Sequence, residues 1–162
     1  MYLKSFEDLF PEKADSDRCQ LVLIDDENQG PLNGMFDLID HYCPNPACNC
    51  YKVTIAVIDI TPGNFPKICA SIIYGWKSKT FYRKAGFDAQ EAQCLPQGYL
   101  DPEGPQSEQA EEFLELFSTL VQDPPFVDRL KKRYELFRNK VTSKKRNIRN
   151  EEVVPFKAKK RA

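Results

Sequence analysis

Three of the chain's six cysteines lie close together in the segment HYCPNPACNC. Cys43, Cys48 and Cys50 have the spacing C-x4-C-x-C. Thiolates from a short loop are common ligands of structural zinc, which takes four ligands in a tetrahedron. Pro44 and Pro46 restrict the backbone between the thiols, so less loop entropy is lost when the sulfur atoms converge. The spacing therefore predicts a zinc site at this turn.

The fourth ligand of such a site is open. His41, the only histidine, lies two residues before Cys43, and Cys94 lies in a long loop that could fold over the site. Cys19 and Cys69 are weaker candidates because each lies in or beside a strand-like run. Water or a carboxylate could also complete the shell, and an open position would favour catalysis. His41 could equally be a solvated or helix-capping imidazole.

Two other interpretations of the cysteine turn stay open. The thiols could form a redox-active or disulfide-bonded pair, or they could be ordinary buried cysteines that pack as small hydrophobic side chains. Asn45 and Asn49 are typical of a polar surface turn and so disfavour burial in a core.

The first residues of the chain bear on its redox environment. Glu7 and Asp8 stand where a secretion signal would have a positive start followed by an uninterrupted apolar stretch. The longest apolar run, VTIAVIDI, is interrupted by Asp59 and is too short to cross a bilayer. We therefore expect a cytoplasmic protein without a membrane partner, in a compartment where thiols stay reduced.

The segments around the turn predict an α+β domain. CQLVLID has the branched apolar residues of a strand, and LNGMFDLIDHY, with Phe36 and Ile39 opposite Asp37 and Asp40, suits a short amphipathic helix. YKVTIAVIDIT and KICASIIYGW flank the turn-forming PGNFP, which predicts an antiparallel hairpin.

The second half of the chain predicts a long loop over residues 85–106 and then two helices. Ser107 is the expected N-cap of the first helix, and Asp123 with Pro124 begins the second. Each helix has one apolar stripe, formed by Phe113, Leu116, Phe117 and Leu120 in the first and by Val127, Leu130, Tyr134, Phe137 and Val141 in the second. We expect a small antiparallel sheet, carrying a metal-binding cysteine knuckle, packed on this C-terminal antiparallel helix pair.

Charge divides the chain in two. Residues 1–130 hold 10 Lys and Arg against 21 Asp and Glu, a net of −11, whereas residues 131–162 hold 13 against 3, a net of +10. The segment 143–162 has little apolar content, so we expect a single α+β zinc-binding domain over 1–142 and a mobile basic tail over 143–162. Such a tail attracts nucleic acid or an acidic protein.

Two further patterns favour other functions. YGWKSKTFYRK, residues 74–84, interleaves aromatic and basic side chains, the ingredients of single-strand nucleic-acid binding. Asp25, Asp26, Glu27 and Asp59 lie at or in strand-like runs and could hold a magnesium ion, which would suit a metal-dependent hydrolase or nuclease.

The segment FDLIDHYCPNPACNC, the following apolar strand, YGW and GYLDPEGPQS together resemble a bacterial family of uncharacterised function with a Y-C-x-x-P-x-C-x-C turn. Longer members of that family often end in a SEC-C-type zinc tail. The resemblance covers about residues 33–140, and this chain has a basic tail in place of a second cysteine cluster. The resemblance implies metal binding through Cys43, Cys48 and Cys50 and no established reaction.

These patterns together predict a non-enzymatic, zinc-stabilised binding module. The predicted metal ligands are Cys43, Cys48, Cys50 and His41. The alternatives are a nucleic-acid-associated protein that uses residues 74–84 and the basic tail, and a metal-dependent hydrolase or nuclease.

Overall fold

The structure is a computed structural model that describes residues 2–24 and 32–151, with side chains as far as residue 144. It is an α+β fold with a six-stranded antiparallel sheet. In chain order the elements are β1 (Lys4–Ser5), α1 (Phe6–Leu9), a 3-10 turn (Pro11–Lys13), β2 (Cys19–Leu23), β3 (Gly34–Tyr42), β4 (Lys52–Asp59), β5 (Lys67–Gly75), α2 (Lys79–Lys84), α3 (Ala89–Cys94), β6 (Tyr99–Leu100), α4 (Ala110–Leu120) and α5 (Pro124–Glu151).

The strands follow the order β1-β3-β4-β5-β6, and β2 pairs with β3 on the same side as β1. The predicted hairpin is confirmed, since β4 and β5 pair antiparallel with Ile55 opposite Ile72. The predicted strand that begins at Cys19 is also confirmed. A register shift between Val57 and Ile58 bends the hairpin near its turn.

The helix predicted over LNGMFDLIDHY is wrong, because these residues form β3, which has strand partners on both sides. The two aspartates that indicated a solvated helix face are buried and bind partners from distant parts of the sequence. Asp37 accepts a hydrogen bond from Gln20, and Asp40 binds Arg133. A short apolar run with buried polar residues has no periodicity that separates a strand from a helix.

Helices cover the two faces of the sheet unequally. On one face, α1, α4 and α5 enclose the main core, whose largest fully buried side chains include Phe6, Val53, Ile72, Phe113 and Leu130. Side chains alternate along a strand, so Ile73 points to the opposite face. There it packs with Tyr82, Ala92 and Leu95 from the α2–α3 region.

The long loop predicted over residues 85–106 is only partly irregular, because it contains α3 and β6. Its expected anchoring by apolar side chains is confirmed. Leu95 is fully buried, and Phe87 and Tyr99 pack around the same small cluster.

The two C-terminal helices are confirmed, with differences in detail. The second begins at Pro124 as expected, whereas the first begins at Ala110, and Ser107 lies just before it, where its carbonyl oxygen accepts a hydrogen bond from the Ala110 amide and its hydroxyl oxygen accepts one from the Gln109 amide. α4 packs on β5 and β6, and α5 packs on α1 and β3. Each helix therefore covers its own part of the sheet, and the two helices also contact each other near the point where they are joined, with the ring centroids of Phe117 and Phe126 6.0 Å apart.

A buried ion pair fixes α5 against β3. Arg133 is only 4% exposed and donates two hydrogen bonds of 2.7 Å to the carboxylate of Asp40, which is 1% exposed. Tyr42 donates a further hydrogen bond of 2.8 Å to Asp40, and Asp17 accepts one from Arg133. This bidentate geometry sets both the depth and the rotation of the helix.

Helix α5 extends through Glu151 and so includes residues 143–151, which we expected from the sequence to belong to a mobile tail. Residues 152–162 lie outside the described residues, and mobility stays a prediction. No helix in the described ranges has both the length and the apolar character needed to span a bilayer.

Candidate metal centre

A cavity of about 310 Å³ lies beside the turn that joins β3 to β4. It is lined by all four residues that the sequence nominates as metal ligands: His41, Cys43, Cys48 and Cys50. The other lining residues come from the N-terminus, the sheet and the segments after α2: Leu3, Lys52, Val53, Thr54, Ile73, Phe87, Asp101 and Glu103. The structure thus brings the predicted ligands to one place.

Strand alternation directs the histidine into this cavity. Tyr42 is fully buried in the core beneath α5, so its neighbour His41 faces the opposite side of β3. His41 Nδ1 lies 3.1 Å from the carbonyl oxygen of Ile39. A carbonyl oxygen can only accept, so this contact is a hydrogen bond in the tautomer that carries its proton on Nδ1, which leaves Nε2 as the nitrogen that could bind a metal. Carbonyl partners fix this tautomer in metal-binding histidines.

The first part of the cysteine turn is held by its own asparagine and by helix α5. The Asn45 carbonyl accepts a hydrogen bond of 3.0 Å from the Cys48 amide, and its side chain accepts one of 3.0 Å from Ala47. Arg138 donates to the carbonyl oxygens of Asn45 and Pro46 over 2.7 and 2.8 Å. The turn is therefore tied to α5 as well as to the two strands that it joins.

The end of the turn is held by two tyrosines. Tyr51, which follows Cys50, has a left-handed backbone with φ 47°. Its amide donates a hydrogen bond of 3.2 Å to the Tyr134 hydroxyl, and its carbonyl accepts one of 2.7 Å from the Tyr82 hydroxyl. Burial raises the pKa of Tyr134 to about 12, and burial also raises the pKa of Tyr82, so both hydroxyls keep their protons at neutral pH.

The three thiols are neighbours within the cavity. Burial raises the pKa of Cys43 and of Cys48, and contact with a neighbouring thiol, Cys48 for Cys43 and Cys50 for Cys48, raises each further, whereas the contact with Cys43 lowers the pKa of Cys48. These two raised pKa values favour the protonated thiols of Cys43 and Cys48 near pH 7. A bound metal would have to displace these protons, because only the thiolate is a strong ligand.

The positions of these side chains do not by themselves form a coordination shell. Among the residues that the structure describes, no three or more His, Cys, Asp or Glu side chains have an arrangement that could hold a metal ion. The donor set suits zinc in its chemistry. Closing a tetrahedral shell with Zn–S distances of about 2.3 Å would require the thiols to move from where they lie.

The other candidate ligands lie elsewhere. Cys94 lines a different cavity, of about 500 Å³, together with Asp88, Glu91 and Tyr99. Cys19 and Cys69 lie in β2 and β5, where burial raises the pKa of both thiols.

In the stretch 74–84, packing engages the aromatic side chains that favoured nucleic-acid binding. Tyr82 is fully buried, and Trp76 packs edge-on against Tyr134 with ring centroids 5.1 Å apart. Phe81 packs against Tyr51. Trp76 and Phe81 are half-buried and have one side engaged by these contacts, which reduces the surface on which bases could stack.

The acidic pattern is only partly described. Asp59 accepts a hydrogen bond from the amide of Thr61, an ordinary turn contact. Asp25, Asp26 and Glu27 lie outside the described residues.

Sequence reasoning missed the residues that hold the turn in place. Arg138, Tyr82 and Tyr134 come from α2 and α5, far along the chain from the cysteines. Tyr134 was assigned to an apolar stripe and Tyr82 to an aromatic-basic stretch. Neither pattern contains a signal that the hydroxyl groups meet the backbone of Tyr51.

Comparison of the chain with models of protein families, with curated proteins and with solved structures found no match.

Proposed function

We propose that this protein is a non-enzymatic binding module whose fold is stabilised by zinc held by Cys43, Cys48 and Cys50, with His41 as the fourth ligand. The observation that carries the proposal is that these four side chains line one cavity, while Cys19, Cys69 and Cys94 do not line it. Three sulfurs and one imidazole are a common donor set of structural zinc.

The position of the turn favours a structural role for the metal. The turn connects the end of β3 to the start of β4 and is hydrogen-bonded to α5 through Arg138. Zinc at this point would cross-link the end of β3 and the turn, in addition to the hydrogen bonds that already hold the turn in place. The resemblance to the bacterial cysteine-turn family agrees with this role, and membership of that family is part of the same proposal.

Metal analysis of the purified full-length chain tests the proposal. We expect one zinc per chain that resists dialysis and is removed by a strong chelator, with a fall in melting temperature on removal. His41→Ala should bind zinc more weakly than the parent. A parent protein that contains no zinc and binds none when zinc is added would overturn the proposal.

A second candidate function is binding of nucleic acid or an acidic protein through the basic C-terminal segment. The observation that favours it is the continuation of α5 through Glu151, which places the run from Lys144 to Arg149 on a helix. Because Tyr74 and Tyr82 are buried and Trp76 and Phe81 are half-buried against other aromatic rings, such binding would depend chiefly on charge.

A further inference from the structure

Tyr51 is held in a conformation that tyrosine rarely adopts. Its φ of 47° is the only positive φ of a non-glycine residue in the described part of the chain. Bulky side chains are outliers in the left-handed region, and such residues persist only where their surroundings over-determine them. The residue lies between Cys50, which lines the cavity, and Lys52, the first residue of β4.

The surroundings of Tyr51 act on its backbone as well as its ring. The hydroxyl of Tyr134 accepts from its amide, and the hydroxyl of Tyr82 donates to its carbonyl, so both polar groups of one residue are engaged. Tyr134 is 3% exposed and Tyr82 is fully buried. Water therefore cannot easily replace either partner.

The fold makes room for the Tyr82 hydroxyl at a specific position. A Cβ atom on Gly75 would lie 2.1 Å from this oxygen, so only glycine fits there. The same oxygen lies 3.3 Å from the Lys77 amide, from which it accepts a hydrogen bond. The space at Gly75 and the amide of Lys77 thus fix the position of the Tyr82 hydroxyl independently of its hydrogen bond to Tyr51.

We propose that Tyr82 and Tyr134 are positioning residues for the cysteine site: they hold Tyr51 left-handed and so place the Cys50 thiol beside Cys48 in the cavity. The metal-binding consequence of this inference rests on the zinc site proposed above. Without the hydroxyls, Tyr51 would relax towards the extended region preferred by residues with a Cβ, and Cys50 would turn away from its neighbours.

The test uses Tyr82→Phe, Tyr134→Phe and the double variant in the full-length protein, because phenylalanine keeps the ring and removes only the hydroxyl. Tyr99→Phe is the matched control, since its hydroxyl binds Glu91 and not Tyr51. Zinc affinity is measured by competition with a chromophoric chelator. We expect the double variant to bind zinc about 10- to 100-fold more weakly, the range for partners that orient metal ligands, and the control to match the parent.

A spectroscopic readout separates positioning from a general loss of stability. Cobalt replaces zinc in thiolate sites and reports sulfur coordination through its charge-transfer absorption. We expect this band to weaken in the double variant at saturating cobalt, and to recover when Tyr51→Gly is added, because glycine adopts the left-handed backbone without help. Parent-like zinc affinity and cobalt spectrum in the double variant would overturn the inference and leave the zinc site standing.

A third measurement does not depend on zinc binding. Phenylarsine oxide condenses with two adjacent thiols, forming two As–S bonds and releasing one water. If the parent binds no zinc, the zinc proposal fails, and arsenical binding still decides the positioning role. Weaker binding in the double variant than in the parent and in Tyr99→Phe supports it, whereas equal binding in all three proteins overturns it.

Discussion

Cys48 is the middle cysteine of the candidate metal centre in the sequence, and it lines the same cavity as Cys43 and Cys50. A ligand in this position is the one whose loss disturbs the shell most. The remaining thiols could still approach each other, but they would lack the sulfur that connects them.

Cys48→Ser should lower zinc content and melting temperature together, since the free energy of binding at such a site is partly free energy of folding. Metal analysis and thermal denaturation of the same preparation measure both. Cys94→Ser is the matched control, because Cys94 lies in another cavity and its replacement should leave the zinc content unchanged. A Cys48→Ser protein that keeps its metal and melts like the parent would disprove the three-thiol site.

At the scale of elements, α5 is the helix that organises the site. Through Arg133 it binds β3, through Tyr134 it binds the residue after Cys50, and through Arg138 it binds the turn itself. These three residues lie within two turns of the helix. The helix therefore aligns the core and the cysteine turn at once.

Arg133→Ala should lower the free energy of unfolding by about 3–5 kcal/mol, because it leaves the buried Asp40 carboxylate without its positive partner. Urea denaturation of the variant and the parent measures the difference. Lys132→Ala, at an exposed neighbouring position, should change stability by less than about 0.5 kcal/mol. Equal midpoints for Arg133→Ala and Lys132→Ala would mean that the ion pair does not hold the helix.

Leu130→Ala tests the apolar stripe of the same helix. Leu130 is 1% exposed in the main core, so truncation should cost about 2–5 kcal/mol through reduced burial and the cavity left behind. Lys131→Ala, which is exposed, serves as the control in the same urea series. An unchanged midpoint for Leu130→Ala would place the stripe outside the core.

At the scale of the whole molecule, the acidic body and basic C-terminal segment are the main electrostatic feature. The net charges of −11 over residues 1–130 and +10 over 131–162 almost cancel. A segment of this kind can bind a polyanion or lie against its own acidic domain, and salt distinguishes these electrostatic contacts from apolar ones.

Deleting residues 143–162 should leave the core intact, because the buried stripe of α5 ends at Val141 among the residues with described side chains. Affinity for a labelled oligonucleotide should fall. The slope of log affinity against log salt should flatten by about 0.7 to 0.9 for each phosphate that the shortened protein no longer neutralises. Fluorescence anisotropy at several salt concentrations measures both quantities.

A second truncation, of residues 152–162 alone, separates the contribution of residues 143–151, which lie in α5, from the contribution of residues 152–162. If the full-length protein binds no oligonucleotide even at low salt, the nucleic-acid candidate is disproved and an acidic protein becomes the expected partner. If binding survives the longer truncation with the same salt slope, the contact surface lies within residues 1–142 and not in residues 143–162.

The sequence by itself determined the features that depend on neighbouring residues. The hairpin of β4 and β5 follows from two apolar runs around PGNFP, and the start and buried stripe of α5 follow from Pro124 and the recurrence of Leu130, Tyr134 and Phe137. The nomination of four ligands around one turn also came from spacing alone. Turn chemistry and a long apolar stripe depend on residues that lie close together in the sequence, so both can be recognised without knowledge of distant partners.

Tertiary structure alone decided what depends on partners distant in the chain. The aspartates of β3 made its sequence resemble a helix, but both have partners in the folded strand. Gln20 binds one of them, and Arg133 neutralises the other. Likewise, the cysteine turn has its shape because Arg138, Tyr82 and Tyr134 reach its backbone from other elements. A buried polar group is stable only with a partner, and folding, not sequence spacing, brings that partner to it.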